Sequence, residues 1–176
     1  MDAGGRPGPG NGPEHGLTPD PAERSAYMRL FYRGWRPTRL GRWVNAVQCW
    51  YSGLGLPPHF QVALEVRGRR SGRARAKAVV VATVDGERYL VSMLGRHSDW
   101  VSNVEAAQGS AVIRHGRRRQ VHLVPVPTGQ RAPVLREYVR LATSGRQHFP
   151  VGPGAPLSEF ESIADVYPVY RIDPPP

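Results

Sequence analysis

Cysteine occurs once in this chain, as Cys49, and lysine once, as Lys77. A single thiol excludes intramolecular disulfides and every metal centre built on clustered thiolates, so packing has to hold the core. No uncharged apolar run approaches the roughly 20 residues that a membrane-spanning helix needs, which excludes that class of protein. The opening residues, Met1 to Gly5, show no basic segment followed by an apolar stretch, so no secretory signal is expected and a cytoplasmic address is. H-E-x-x-H, a Walker loop and an internal repeat are all missing, and the order of elements fits no Rossmann unit. Acidic residues are scarce as well. Asp and Glu number 14 against 24 Lys and Arg, for a net charge of +10 in 176 residues, and 23 of the 24 cations are arginine. Arginine-favouring codons of a GC-rich genome explain such a bias without function; an anionic partner explains it with function, because guanidinium forks grip phosphate and carboxylate two bonds at a time.

The length suits one domain with a tail. Residues 1–19 are mostly Gly, Pro and isolated polar residues, a composition expected to stay disordered. Residues 20–176 are expected to form a single domain with N-terminal helices over about 20–56. Asp20-Pro21-Ala22-Glu23 predicts a helix start, with Asp20 as cap and Glu23 closing a capping box, and the helix is expected to reach about Arg33. Thr38 predicts the cap of a second helix, in which Leu40, Trp43, Val44, Val47, Trp50 and Tyr51 recur at three and four residues. These helices mix aromatic residues with arginines, as membrane-surface helices do, so peripheral contact with a membrane is one expectation. The preferred one is that Trp43, Val47 and Trp50 cover an open face of a barrel or form a homodimer contact.

From Gln61 the apolar period changes to two, predicting a strand through Val66. Strands over Lys77 to Val84 and Arg88 to Met93 flank Asp85-Gly86, a strong tight-turn signal. A short helix from Ser98 to Ala107, a hairpin around His115-Gly116, a helix from Thr128 to Leu141 and a closing strand within Tyr167 to Ile172 complete the reading. Five or six strands joined mainly by hairpins, with helices before, between and after, predict an α+β domain built on a small antiparallel barrel.

The sharpest local feature is Val66-Arg67-Gly68-Arg69-Arg70-Ser71-Gly72-Arg73-Ala74-Arg75, between two predicted strands. Its glycines allow a tight turn, its N–H groups and the Ser71 hydroxyl donate to oxygens, and its arginines neutralise a dianion; a solvated basic turn is the plainer reading. Arg114 and Arg117 to Arg119 form a second basic patch, read as a solvated hairpin tip. His115 and His122 flank that hairpin and are within possible reach of each other, but nothing nearby stands at ligand spacing, so no metal site is expected. Cys49 has no identifiable base and reads as core.

Gly68 to Gly72 followed by Arg75, the Asp85-Gly86 hairpin, Ser92, and Trp100 with Asn103 three residues on resemble, in order and from about Val47 to Ile172, the deazaflavin-dependent nitroreductase family. That family is a split β-barrel, related in fold to FMN-binding pyridoxamine-phosphate oxidases, and takes hydride from reduced coenzyme F420, an 8-hydroxy-5-deazaflavin. The resemblance implies that Arg69, Arg70, Ser71, Gly72 and Arg75 hold the coenzyme's phosphate and acidic tail. It implies that Ser92 and Met93 lie beside the ring and that Trp100 and Asn103 belong to the helix over it. Ser92 and His97 become the candidate catalytic residues, and Tyr167 and Tyr170, near Phe149 and Phe160, candidates for the wall of a quinone or nitroaromatic site; both tyrosines also fit as packing of the last strand. The chain departs from the family in carrying Arg70 for a usual lysine and Ala78 for a proline, and in a short segment between Ser92 and Trp100. The same barrel with FMN or a tetrapyrrole, and a basic nucleic-acid binder, are the competing expectations.

Overall fold

The computed structural model describes residues 32–33 and 36–176, with side chains from Thr38 onward. The expected tail and most of the first expected helix lie outside these residues. The end of that helix is corrected: β1 (Tyr32–Arg33) pairs antiparallel with β2 (Arg36–Pro37) instead of continuing a helix.

Helix α1 (Arg39–Gly53) starts where the sequence places it, with the Thr38 hydroxyl accepting from the Gly41 N–H at 3.1 Å. Then come β3 (Gln61–Arg67), β4 (Ala74–Val84), β5 (Glu87–Val91), α2 (Asp99–Ala106), β6 (Ser110–His115), β7 (Arg117–Pro125), α3 (Ala132–Leu141), α4 (Leu157–Ser162) and β8 (Val169–Asp173). Six strands close into an antiparallel barrel in the order β3-β4-β5-β8-β7-β6, so the expected α+β barrel is what the chain forms. The β4–β5 hairpin turns through Asp85 and Gly86, both at positive φ (50° and 81°), the conformation for which a D-G pair is chosen.

Strand alternation sorts the apolar residues into two cores. Val62, Leu64, Val66, Val81, Leu90, Ile113 and Leu123 fill the barrel, and Trp100, Val101 and Val104 of α2 join them. On the opposite face, Ala82, Val91 and Val169 pack under α3 and α4 through Leu135, Tyr138, Val139 and Phe160. Two sites of sequence ambiguity resolve here. The expected helix from Thr128 becomes a short 3₁₀ turn and then α3, with Pro133 in its first turn, where a missing N–H costs nothing. Helix α4 falls in a stretch too short to show a period.

For α1, the expectation that its aromatic residues cover an open face of the barrel is corrected. Its buried residues are Cys49, Ser52 and Gly53, whereas Trp43 and Trp50 are 65% and 62% exposed. The helix meets the sheet along its small side because the approach is close: a Cβ on Gly53 would stand 2.8 Å from the Arg114 guanidinium. The aromatic stripe is left facing outward.

Candidate active site

β4 is longer than its neighbour. It pairs with β5 over Val81 to Val84 only, leaving residues 74–80 without a β5 partner. This split in the barrel wall needs other groups to satisfy the strand edge. Asn45 of α1 supplies them, accepting from the Ala78 N–H at 3.2 Å and donating to the Ala76 carbonyl at 3.3 Å. Just beyond lies a cavity of about 110 Å³ that opens into the split. Its walls include Val79, Met93 and Trp100, its polar lining includes Gln48, Gln61 and Ser98, and its one charged lining residue is Lys77. Trp100 is held at this place by an edge contact with Tyr170, ring centroids 5.6 Å apart.

The basic turn between β3 and β4 sits at the far end of the same strand. Gly68 and Gly72 close it, through Gly72 N–H to Gly68 carbonyl at 2.8 Å and Gly68 N–H to Arg73 carbonyl at 2.9 Å. Gly72 has a φ of 65°, which a side chain would resist. Ser71 is exposed, and its hydroxyl accepts from the Arg73 N–H at 3.4 Å. Arg70 and Arg75 are exposed, and their guanidinium groups meet no partner among the described residues. Arg69 is different. It pairs with Asp99 at 3.2 Å and donates to Asn103 Oδ1 at 2.9 Å, and its backbone N–H donates to that same oxygen at 3.2 Å. Arg69 and Asn103 thus clasp the turn to α2.

Ser92 is fully buried; its hydroxyl donates to the Gly95 carbonyl at 2.7 Å and stands 2.8 Å from the Ser98 hydroxyl. It shapes the loop that delivers Met93 and Ser98 to the cavity and does not line the cavity itself. His97 is exposed on the following 3₁₀ turn and also lies outside the lining. Tyr167 and Tyr170 are core residues. Tyr167 stacks on Phe149 at 4.2 Å and donates to the His148 carbonyl at 2.7 Å. Tyr170 is buried behind Trp100, and desolvation, reinforced by Glu105, pushes its phenol up to about 12. Both tyrosines pack in the core, and neither is among the residues lining the cavity. The residues that sequence reasoning missed are Lys77 and Asn45. The first carried a signal, as the single lysine of an arginine-rich chain; the second carried none.

His115 does not pair with His122. Its Nε2 stands 3.1 Å from His59 Nδ1, while His122 packs over Gly109 on the other side of the ladder. Among the described residues no group of three or more His, Cys, Asp or Glu is placed to hold a metal. No described helix is long and apolar enough to cross a membrane.

Free arginines beside a cavity with flat apolar walls and one ammonium fit an anionic coenzyme with a planar ring. No curated protein matches the sequence. Similar solved structures include an F420-H2 dependent reductase (FDR-A), 18% identical over 65% of this chain and 94% of its own, TM-score 0.45. An F420 reductase is 16% identical over 71% of this chain and 92% of its own, TM-score 0.39. General Stress Protein 26 from Bacillus anthracis is 12% identical over 65% and 78%, TM-score 0.42. These likenesses are too distant to argue from. The family model described as F420H(2)-dependent quinone reductase matches residues 44–152, a span that runs from α1 through the basic turn, the split and α3. The chain belongs to that family, and it is an F420-dependent oxidoreductase with F420H2 as its coenzyme.

Proposed function

We propose that this protein passes hydride from the reduced deazaflavin to an aromatic or conjugated acceptor of the quinone or nitroaromatic type. The observation that carries the reading is the junction, along one strand, β4, of a basic turn whose Arg70 and Arg75 lack partners with the cavity lined by Val79, Met93 and Trp100. When bound, the coenzyme supplies the hydride; the chain supplies position and electrostatics. Arg70 and Arg75, with the N–H groups of the turn, hold the phosphate and acidic tail. Arg69 and Asn103 act indirectly, fixing the turn against α2. The walls of Val79, Met93 and Trp100 bind a flat ring and exclude water from one face of it. Ladder alternation turns the Ala78 carbonyl and the Val80 main chain toward the same open edge, where they can meet ring heteroatoms, the Ala78 N–H being held by Asn45. The buried, unpaired Cys49 suits the reducing cytoplasm, the address that this reading keeps.

The test is turnover. Reduced F420 with a naphthoquinone acceptor should be oxidised in the presence of the protein, and NADPH should not replace it, since the chain has no dinucleotide-binding unit. NADPH-driven reduction of the quinone without deazaflavin would overturn the proposal. Purification as a yellow protein carrying FMN would do the same.

A further inference from the structure

Lys77 is the one charged residue lining the cavity, among Val79, Met93, Trp100 and other uncharged neighbours. It makes no hydrogen bond or ion pair with any described residue. Its nitrogen is nevertheless not sealed off, for the buried side-chain atoms lacking partners are Ser52 Oγ and Arg114 Nε. The amine therefore keeps some accessible surface, on a residue that lines the cavity. Asp99 and Cys49 act on it from α2 and α1, but Asp99 is committed to Arg69 and Cys49 is a thiol. Arg75 shares the Lys77 face of β4 two residues along, roughly 7 Å away at strand spacing, and Tyr138 lines the cavity from α3. Desolvation is the main cause that pulls the Lys77 amine below its ordinary value. A cation in an apolar wall without a counterion is costly, and an arriving anion removes that cost.

The anion is not the coenzyme's tail if the turn does what is proposed for it. Arg70 and Arg75 already serve a phosphate outside, and Lys77 lies deeper along the strand, where the ring would sit. We propose that Lys77 recognises an aromatic oxyanion in this cavity, either the ionised hydroxyl of the deazaflavin ring or the oxygen of a reduced quinone. The inference rests on the functional reading above. It makes Lys77 a determinant of which ionisation state and which acceptors the site accepts. An ammonium beside such an oxygen stabilises the phenolate form and disfavours occupants that keep that position apolar.

A chain with one lysine allows a direct test. Reductive methylation with ¹³C-formaldehyde labels only Lys77 and the α-amine, whose ordinary pKa near 8 separates the two. The Lys77 signal is titrated in the free protein, with oxidised F420, with F420 and 1,4-naphthohydroquinone together, and with inorganic phosphate. Coenzyme binding is followed separately by its fluorescence. An upward shift of the Lys77 titration with F420 alone supports the proposal and names the coenzyme as source of the oxyanion. A shift that appears only with the hydroquinone supports it and names the acceptor. Lys77→Met removes the charge while keeping the stem, and should weaken binding of that ligand by roughly 10- to 150-fold, with a melting temperature unchanged or raised. Bound F420 with an unmoved Lys77 titration in every arm, or Lys77→Met binding both ligands within threefold of the parent, overturns the proposal alone. A shift with phosphate as large as with F420 overturns it too, since the amine then serves the tail. Failure of F420 to bind the unaltered protein overturns the functional reading together with the Lys77 proposal.

Discussion

Two arginine-rich turns project from this barrel, one between β3 and β4 and one between β6 and β7. In the second, two of the four arginines are fastened within the protein, since Glu65 takes Arg114 at 3.5 Å and Arg118 at 2.6 Å, while Arg117 and Arg119 stay exposed. The turn is also tied to the end of α1, for the Gly116 N–H donates to the Gly53 carbonyl at 3.0 Å and the His115 ring Nδ1 stands 3.1 Å from the Ser52 carbonyl. The β6–β7 turn is a joint that receives the end of α1. In the β3–β4 turn one arginine of the set, Arg69, does the fastening, and Arg70 and Arg75 are left without partners. Both turns keep exposed arginines, but in one place the turn is a joint receiving α1 and in the other its cations stand at the end of the strand that lines a cavity. A count of arginines cannot separate the two; the position of Glu65 on β3 does.

The largest expected effect breaks the joint. A Cβ on Gly55, at φ 77°, would stand 2.9 Å from both Cα and N of Gly116, and neither backbone can yield. Gly55→Ala is expected to lower stability by about 3 kcal/mol, combining left-handed strain with overpacking, read as a fall in thermal midpoint. Gly72, at a similar φ, meets nothing nearer than the Arg67 guanidinium at 3.6 Å, so Gly72→Ala should cost only about 1 kcal/mol. Equal losses would erase the distinction between packed and open turns.

Next in size is Arg70→Ala, expected to weaken F420 binding by roughly 10- to 150-fold in a fluorescence titration while leaving the melting curve in place. Arg69→Ala should do the opposite in emphasis. It removes a partly exposed ion pair and the bond to buried Asn103, so a stability loss of about 1–2 kcal/mol is expected, with a smaller loss of coenzyme affinity. If Arg69→Ala weakens F420 binding more than Arg70→Ala at unchanged stability, their assigned roles are reversed. The smallest effect belongs to Arg118→Ala. Its side chain is 66% exposed, so the loss should stay below about 1 kcal/mol, shrink further in high salt and leave F420 binding within about twofold.

The barrel was legible because local signals agreed with one another. Alternation from Val62 to Val66, the D-G turn at Asp85 and the single glycine at Gly116 each state a period or a turn, and no tertiary contact had to overrule them. Helix α1 shows where such reading fails. Its apolar stripe predicts a buried face, yet the side that packs is the one bearing Asn45, Cys49, Ser52 and Gly53, chosen by closeness of approach and by hydrogen bonds to β4. The site divided along the same line. Met93 and Trp100 line the cavity and Arg70 stands unpartnered on the turn, as motif order led one to expect, because local signals set the register of the elements that carry them. Ser92, Tyr167 and Tyr170 could not be read that way, since whether a hydroxyl meets a ligand or a carbonyl depends on neighbours distant in sequence. Lys77 was visible only as a rarity until the barrel gave it a cavity.

The Asn45 amide has a further consequence for how this molecule behaves in company. A strand running past its partner offers a ladder of bare main-chain groups, the template on which sheets of different molecules join end to end. Under the proposed function the exposed rungs are also the coenzyme's entrance, which another strand would block. One side chain answers to two rungs, at Ala76 and Ala78, and behaves as a strand one residue long. It leaves the gap passable to a small molecule and unrewarding to a neighbouring polypeptide, so losing that amide should show as self-association before it shows as unfolding.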